Sequence, residues 1–413
     1  MDLLIVPVPL FNEDIAVEAY YFRHRKGNDL LDGTGTSVFD GAMLSPPLEM
    51  LNLVSMEALT TGKPIFVPVT KYMLLSRLET QSRQPADKII FLINGSEIED
   101  VGPYLANIEY LKALGYRFGL QKISDVVKME PILEKCDFVF YDHRVFDHMN
   151  EVKIRITVTH KYKHITSVYT HVSNMDLVKE LHVRYKGLFE GHFYRTPLTK
   201  GKQEVSPLQV NLINLLNKVR DENFEFDEIS EIIQKDPMLT VSLLRLVNSA
   251  YFALREKVKS INQAVVMLGQ TEIRKWITTA VARLLGADKP GEVTRLSLIR
   301  ARFAEELAIK FGMEKESQSL FLMGLFSVLD AILDRPIAEA LDMVHVSEDI
   351  REALVDRAGR YSVIFQFILE YEAANWNVVS RLLILNDLDT EAVYRSYINA
   401  LMWYNDIIGD DQN

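Results

Sequence analysis

The chain has 413 residues, of which 48% are hydrophobic and 25% are charged, as is typical of soluble globular proteins. Its formal net charge of −11 argues against a general binder of nucleic acid or of anionic membranes, because both require a basic surface. The single cysteine, Cys136, cannot form an internal disulfide, and no stretch reaches the roughly 20 apolar residues of a membrane helix, which predicts a cytoplasmic location.

The first half of the chain alternates short apolar runs with helical patterns, which predicts an α/β domain over residues 1–196. Eight candidate strands separated by helices indicate a short TIM-like barrel. The strands are predicted at Leu3–Val8, Ile15–Phe22, Pro64–Val69, Lys88–Ile93, Tyr116–Leu120, Asp137–Tyr141, Lys153–Val158 and Leu188–Tyr194. Helices are predicted between several of them, at Pro47–Thr60, Val101–Leu114 and Asp125–Cys136.

The residues that follow are polar and include proline and glycine, so residues 197–206 read as a linker. After Pro207 the strand patterns stop and helical patterns succeed one another to the end of the chain. Residues 207–413 are therefore predicted to form an all-helical domain.

One helix of the second half has an extended signature, Lys235–Phe252, with the sequence KDPMLTVSLLRLVNSAYF. Asp236 can cap this helix and the following proline suits its first position. Leu239, Leu243, Leu246 and Val247 recur at helical spacing and predict a buried face. A second helix begins at Ser260 and is predicted to end at a glycine stop, Gly269.

The order and spacing of Asp-Pro, Asn-Ser-Ala-Tyr-Phe and Leu-Gly in these two helices resemble the signature of the HDOD domain. HDOD domains are similar to metal-dependent HD phosphohydrolases, whose ligands are histidine and aspartate. The first ligand position of that family corresponds here to Arg300 or Arg302, and its His-Asp pair to Ser327-Val328. Only His345 lies after Pro207, so the resemblance implies a domain without the HD metal site.

The first half resembles the EAL domain, a barrel that hydrolyses cyclic di-GMP with two divalent cations. The resemblance rests on Ile15–Tyr20 (IAVEAY), Gly115–Leu120 (GYRFGL) and Glu190–Leu198 (EGHFYRTPL). An EAL domain followed by an HDOD domain is similar to the YuxH-type signalling proteins. The implied fold is therefore a short, degenerate EAL barrel followed by a helical HDOD domain.

The EAL chemistry requires several oxygen ligands that converge on the metals. Glu18 matches the signature glutamate and Asp142 matches one aspartate. The other ligand positions correspond to Pro68, Leu92, Gln121, Lys122, Phe140, Thr159-His160 and Glu190. Lys122 would place a cation where the metals should bind. The resemblance thus implies a degenerate phosphodiesterase that is not an enzyme, with no metal site and no cofactor.

We therefore expect a non-catalytic signalling protein that acts through protein–protein interaction in a cyclic-di-GMP-linked pathway. The partner-binding residues are predicted at the edge of the signature helix, at Arg245, Asn248, Tyr251 and Phe252. For these four residues, capping and packing of the helix junction remains the alternative role.

Two alternative functions stay open. The barrel could be a receptor that binds cyclic di-GMP without hydrolysis, with Glu18, Arg23 and Asp142 as the ligand-binding residues. Alternatively, it could be an active cyclic-di-GMP phosphodiesterase. Besides a protein partner, cyclic di-GMP and a second copy of the chain are open as binding partners, whereas nucleic acid and membrane are not expected.

Overall fold

The structure is a computed structural model that describes residues 4–24, 46–123, 125–145, 148–195, 207–219, 224–234, 236–248, 258–287 and 289–409. The chain divides into two compact units. The barrel unit comprises Met1–Tyr194 with Leu369–Ile398, and the helical unit comprises Arg195–Ile368 with Asn399–Asn413.

Eight strands of the described residues form one closed barrel in the order β1 to β8. This confirms the predicted barrel followed by helices. The strands are β1 (Ile5–Phe11), β2 (Val17–His24), β3 (Ile65–Val69), β4 (Ile89–Asn94), β5 (Arg117–Gln121), β6 (Phe138–Asp142), β7 (Thr166–Val172) and β8 (Leu188–Gly191).

The barrel differs from an all-parallel one at β1, which pairs antiparallel with both β2 and β8. The strands β2 to β8 pair in parallel, so their C-terminal ends meet at one end of the barrel. Ile5, at the start of β1, pairs with His24 at the end of β2 and therefore lies at this same end. We call this end the barrel mouth and locate it by Arg23, Asp142, His171 and Glu190.

The interior of the barrel is a packed hydrophobic core rather than a channel. Phe66 contacts Phe140 with ring centroids 5.0 Å apart, in an edge-to-face arrangement that aromatic pairs favour. This core buries Leu92 and Phe140, the residues that correspond to two metal-ligand positions of the EAL domain. Its other buried members are Leu10, Ala19, Tyr21, Ile90 and Val168.

One predicted strand is wrong. Lys153–Val158 lies inside the helix Met149–Lys161, and the seventh strand is Thr166–Val172. Ile154 and Val158 are both buried, and residues four apart share one face of a helix. Their β-branched side chains therefore suit the buried helix face as well as they suit a strand, and packing decides between the two.

The helices of the barrel unit within the first half of the chain are α1 (Pro46–Leu53), α2 (Met56–Thr60), α3 (Gly102–Ala113), α4 (Val126–Leu133), α5 (Met149–Lys161) and α6 (Met175–Tyr185). Residues 369–398 also belong to this unit. Within them, buried Tyr371 donates its hydroxyl to the carbonyl oxygen of Ile5 at 3.3 Å. The ring of Tyr371 contacts Trp376 and Tyr397, with centroids 5.5 Å and 4.9 Å away.

The later helices are α7 (Pro207–Val219), α8 (Phe226–Gln234), α9 (Pro237–Val247), α10 (Ile261–Leu285), α11 (Gly291–Lys310), α12 (Ser317–Phe326), α13 (Leu329–Leu333), α14 (Ile337–Met343), α15 (Glu348–Arg351), α16 (Ser362–Glu372), α17 (Trp376–Leu385) and α18 (Thr390–Gly409). A short π-helical segment, Glu352–Asp356, follows α15.

The signature helix α9 begins as predicted, and three of the four residues of its predicted buried face are buried. The backbone N–H of Leu239 donates to the carboxylate of Asp236 at 3.1 Å, which confirms Asp236 as a cap. Leu239, Leu243 and Val247 are buried, whereas Leu246 is only partly buried. Gly269 has a φ of 72° and interrupts α10 with a kink, as its glycine stop predicts.

The predicted domain boundaries, 1–196 and 207–413 with a linker at 197–206, stay a prediction. The compact units differ from them in one respect, because residues 369–398 group with the barrel instead of with the helical half. Residues 196–206 lie outside the described residues.

Candidate functional site at the barrel mouth

The strand alternation of β2 decides which of its side chains face the mouth. Ala19 and Tyr21 belong to the barrel core, so Arg23, two residues further, lies on the same face. The Arg23 guanidinium lies 5.3 Å from the centroid of the Tyr21 ring. Arg23 on β2 therefore places a positive charge at the mouth, next to the core residue Tyr21.

Arg23 is held by an ion pair with a buried carboxylate on β8. Its Nη2 atom donates to Oε2 of Glu190 at 3.0 Å, and the Glu190 side chain is only 6% exposed. The same carboxylate oxygen accepts the backbone N–H of His171 at 2.9 Å. Glu190 therefore connects β2, β7 and β8 at the mouth.

His171 extends this network to β6. Its Nε2 atom lies 3.3 Å from Nη2 of Arg23, and its Nδ1 atom lies 3.1 Å from Oδ1 of Asp142. A guanidinium can only donate, so Nε2 accepts and the ring proton resides on Nδ1. Nδ1–H then donates to Asp142, which fixes a neutral imidazole with one defined tautomer.

Asp142 also binds Arg144 through a fork of hydrogen bonds. Nη2 of Arg144 donates to Oδ2 at 2.6 Å, and Nε donates to Oδ1 at 3.1 Å. The Arg144 side chain is 66% exposed, so its guanidinium faces solvent at the edge of the mouth. The mouth thus combines one half-buried and one exposed arginine.

The backbone at His171 is unusual for a strand. His171 has a φ of 61°, and the pairing of β7 with β8 shifts between Tyr169 and Val172. Gly191 permits this irregularity, because a Cβ atom there would lie 1.8 Å from the carbonyl oxygen of Val172. Such bulges reorient a side chain, and here the bulge turns the His171 N–H toward Glu190.

The environment shifts the proton affinities of these groups. Burial lowers the pKa of His171 below its usual range, in agreement with the neutral ring. Burial opposes ionisation of Asp142, but the hydrogen bonds from Arg144 outweigh it and lower the pKa of Asp142. Burial raises the pKa of Tyr21 well above its usual range, and the Glu190 carboxylate adds to this rise.

The structure brings two of the three predicted ligand-binding residues together. Arg23 and Asp142 meet at the mouth through His171. Glu18 does not join them: it is exposed and accepts a hydrogen bond from Nδ2 of Asn12 at 3.0 Å. Arg23 follows Glu18 by five positions, which places the two roughly 16 Å apart along the strand and on its opposite faces.

The sequence analysis did not assign His171, Glu190 or Arg144 to the site. His171 lies in the strand that was not predicted. The sequence analysis named Glu190 only as a residue that differs from the EAL ligand at its position. A carboxylate followed by a glycine at the end of the last strand could have indicated a residue at the barrel mouth.

The described side chains at the mouth do not fit a two-metal centre. Among the described residues, no three histidine, cysteine, aspartate or glutamate side chains are grouped as metal ligands. Asp142 and Glu190 are each bound by an arginine, which neutralises the charge that a cation would need.

Of the predicted partner-binding residues, Asn248 has a structural role in the helical unit. Its Nδ2 atom donates to the carbonyl oxygen of Val258 at 2.9 Å, and its Oδ1 atom accepts the N–H of Val258 at 2.7 Å. The packing alternative thus accounts for Asn248. Tyr251 and Phe252 lie outside the described residues, as does the side chain of Arg245.

The helical unit also brings together two residues predicted at HD ligand positions. Nη1 of Arg300 on α11 donates to Oγ of Ser327 at 3.0 Å, just after α12. The model of the HDOD domain family matches residues 206–333, which include both. The chain carries an HDOD domain. The signature quoted above lies within this match, so its recognition is confirmed.

Two curated proteins resemble longer parts of the chain. YuxH of Bacillus subtilis is 27% identical over 426 aligned positions, covering 99% of each chain. CdgJ of Vibrio cholerae, named a cyclic di-GMP phosphodiesterase, is 31% identical over 219 positions, covering 53% of this chain and 51% of CdgJ. The likeness to YuxH over nearly the whole of both chains confirms the expected YuxH-type relationship.

EAL proteins occur among similar solved structures. A standalone EAL protein of Vibrio cholerae, in its cyclic-di-GMP-bound form, is 13% identical with a TM-score of 0.37 and covers 46% of this chain and 90% of its own. An EAL domain protein of Listeria monocytogenes is 16% identical with a TM-score of 0.35, over 47% of this chain and 87% of its own.

The likeness to CdgJ corrects one prediction. The expectation that the chain is not an enzyme is contradicted, because this relative is named a phosphodiesterase. The ligand substitutions identified in the sequence therefore do not establish an inactive barrel. Separately, no helix of the described residues is long and apolar enough to cross a membrane.

Proposed function

We propose that the protein is a cyclic-di-GMP signalling protein that binds the dinucleotide at the barrel mouth. The observation that carries this proposal is the pair of arginines, Arg23 and Arg144, at the ends of β2 and β6. Guanidinium groups bind phosphate oxygens through paired, charge-assisted hydrogen bonds. Arg144 already presents such a fork to Asp142 and is exposed enough to exchange it for a phosphodiester.

Cyclic di-GMP can bind at the mouth only if some of the existing ion pairs open, which costs free energy. Asp142 and Arg144 are about a third and two thirds exposed, so their ion pair is screened and contributes little to stability. Glu190 is buried and keeps Arg23 oriented when a ligand arrives. Arg144 is therefore the residue that exchanges its carboxylate partner for the phosphodiester. Arg23 is already oriented and makes the second contact.

The test is calorimetric titration of the full chain with cyclic di-GMP, comparing the Arg144→Gln variant with wild type. We expect Arg144→Gln to weaken binding about tenfold, the effect of losing one charge-assisted contact. Arg184→Gln is the matched control, because Arg184 is equally exposed and pairs with Glu180 at 3.2 Å on α6. Equal affinities of wild type and Arg144→Gln, or no binding by wild type, would refute the proposal.

Hydrolysis is the second candidate function, and the name of CdgJ favours it. The same mixtures, supplied with Mg²⁺ or Mn²⁺, should be analysed for the linear product. Product that forms only with a divalent cation, and that Asp142→Asn removes while a mock preparation gives none, would establish it. Binding and hydrolysis are measured separately, so each outcome stands alone.

For the HDOD domain we propose a role in protein–protein interaction through the exposed edge of α9. Val241 is about half exposed on this helix, opposite the buried face of Leu239 and Leu243. Arg245, Tyr251 and Phe252 stay predicted contacts. Arg245→Ala should reduce recovery of a partner from native cells without lowering the melting temperature; unchanged recovery would argue against this edge.

A further inference from the structure

The C-terminal end of α16 lies at the barrel mouth. This helix ends at Glu372, and residues 369–398 belong to the barrel unit. The Tyr371 hydroxyl donates to the carbonyl oxygen of Ile5 at 3.3 Å, and Ile5 pairs with His24 at the mouth. Two residues beyond Tyr371, the carbonyl oxygen of Ala373 accepts a hydrogen bond from Nη1 of Arg23 at 3.5 Å. A segment far away in the sequence therefore contacts the arginine that we expect to bind the phosphodiester.

The turn after α16 has the hydrogen bonds of a Schellman motif. The N–H of Asn375 donates to the carbonyl oxygen of Glu370 at 2.9 Å, and the N–H of Ala374 donates to that of Tyr371 at 3.0 Å. Ala374 has a φ of 54°, a left-handed conformation that glycine adopts freely and alanine adopts at a cost. We call Ala373–Asn375 the α16 turn.

The α16 turn determines where the carbonyl group of Ala373 points. The peptide group between Ala373 and Ala374 carries this carbonyl, so the φ of Ala374 sets its direction relative to the chain that follows. The last carbonyl groups of a helix have no partner within the helix and form the negative end of its dipole. The turn thus presents to Arg23 a partly negative oxygen, the same kind of acceptor that a phosphate group would offer.

The contact with Ala373 is the easiest of the Arg23 hydrogen bonds to exchange. Nε of Arg23 donates to the Tyr21 hydroxyl at 2.5 Å, and Nη2 donates to Glu190 at 3.0 Å. Both of these acceptor residues are buried, whereas Ala373 is exposed. At 3.5 Å the hydrogen bond to Ala373 is also longer than the usual 2.9–3.0 Å for an N–H donor, and is therefore weaker.

We propose that the Ala373 carbonyl group competes with the phosphodiester for Nη1 of Arg23, so that the α16 turn restrains ligand binding at the mouth. This inference rests on the proposed binding of cyclic di-GMP. A phosphate oxygen replaces the carbonyl oxygen at Nη1, the turn opens, and Ala374 leaves the left-handed conformation. Buried Tyr371 stays in place, so only the turn moves. The observed affinity then falls with the fraction of molecules whose turn is closed.

The experiment is calorimetric titration of the full chain with cyclic di-GMP, comparing two substitutions at Ala374. Ala374→Gly removes the cost of the left-handed conformation and stabilises the closed turn, so we expect about fivefold weaker binding. Ala374→Val raises that cost, because a β-branched residue fits this conformation poorly, and should bind about fivefold more tightly. Neither substitution changes a charge or removes a hydrogen-bond donor.

The matched control is Asp387→Gly. Asp387 lies in the same segment, has a φ of 50° and follows α17 in the same type of turn, with the N–H of Leu388 donating to the carbonyl oxygen of Leu383 at 2.9 Å. Among the described residues, no hydrogen bond joins Asp387 to the mouth. This variant should therefore bind cyclic di-GMP as wild type does, even if its melting temperature rises.

The two affinities must move in opposite directions. A turn with a structural role alone would raise the melting temperature of Ala374→Gly and lower that of Ala374→Val, with both affinities at the wild-type value. That result overturns the inference and leaves binding at the mouth intact, as does a loss of affinity in Asp387→Gly equal to that in Ala374→Gly. Absence of binding by both wild type and Ala374→Val overturns the inference together with the proposed function.

Discussion

Replacing Glu190 by glutamine is the sharpest perturbation of the barrel mouth, because this carboxylate is its buried centre. Glu190→Gln keeps the size of the side chain but removes the charge that faces Arg23 at 3.0 Å. Breaking a buried ion pair by removing one partner typically costs about 3–5 kcal/mol. Because the Arg23 side chain is 21% exposed and hydrated in part, we expect about 2–4 kcal/mol.

Cys136 provides an assay that reports the barrel alone. It is the single cysteine of the chain and is 1% exposed, so a thiol reagent reaches it only when the barrel opens. Burial also raises the pKa of its thiol far above the usual range, which suppresses the reactive thiolate. The extent of labelling across a urea series therefore gives the free energy of unfolding of the barrel, without a contribution from the helical unit.

The matched control is Asp142→Asn at the same mouth. Its ion pair with Arg144 is partly exposed, so we expect a loss of less than about 1 kcal/mol. If the labelling curves of the two variants coincide, the Glu190 ion pair contributes no more to barrel stability than the Asp142 ion pair. The greater burial of Glu190 would then not make its ion pair stronger. If Asp142→Asn is the more damaging change, the hydrogen bond from His171 carries the network instead.

Three further outcomes follow from the packing and the pKa shifts. Leu243→Ala, at a fully buried position of α9, should destabilise the helical unit by about 2–5 kcal/mol, whereas Val241→Ala on the exposed face should cost less than about 1 kcal/mol in a melt followed by circular dichroism. Tyr371→Phe removes the hydrogen bond to Ile5 and should lower barrel stability by about 0.5–1.5 kcal/mol in the Cys136 assay; no change would mean that this contact is not formed in solution. Because the pKa of His171 is lowered in the folded barrel, the unfolded chain binds its proton first, so barrel stability should fall as the pH drops through about 6.5. His171→Gln should flatten that part of the pH profile, and an unchanged profile would assign the titration to another group.

Local sequence patterns predicted most of the fold, because the apolar residues of most strands and helices in this chain recur with the spacing typical of each element. Seven of the eight strands overlap the predicted runs, and the cap at Asp236 and the break at Gly269 came directly from residue type. The exception was a run of β-branched residues that packs as a helix. No local pattern separates these two outcomes, since Ile154 and Val158 can face a core in either form.

The site was harder to predict, because it depends on which side of each strand a residue occupies. Glu18 and Arg23 were predicted to bind the same ligand, yet an odd separation on one strand places them on opposite faces. That parity was readable from the sequence. The position of His171 was not, since it depends on a left-handed residue and a bulge that Gly191 accommodates. The position of His171 is therefore set by tertiary contacts and not by local sequence composition.

The acidic charge of the chain does not conflict with binding of a negatively charged ligand. Charges in solution act over a Debye length of about 8 Å at physiological ionic strength, so distant carboxylates are screened from a local site. At the barrel mouth, Arg23 and Arg144 bind Glu190 and Asp142, which occupy two of the positions where the resemblance implied metal ligands. A guanidinium recognises the phosphate directly, whereas those ligands would recognise it through a metal. The proposed affinity of the mouth for phosphate therefore rests on a positive charge, Arg23, that the neighbouring Glu190 holds in place.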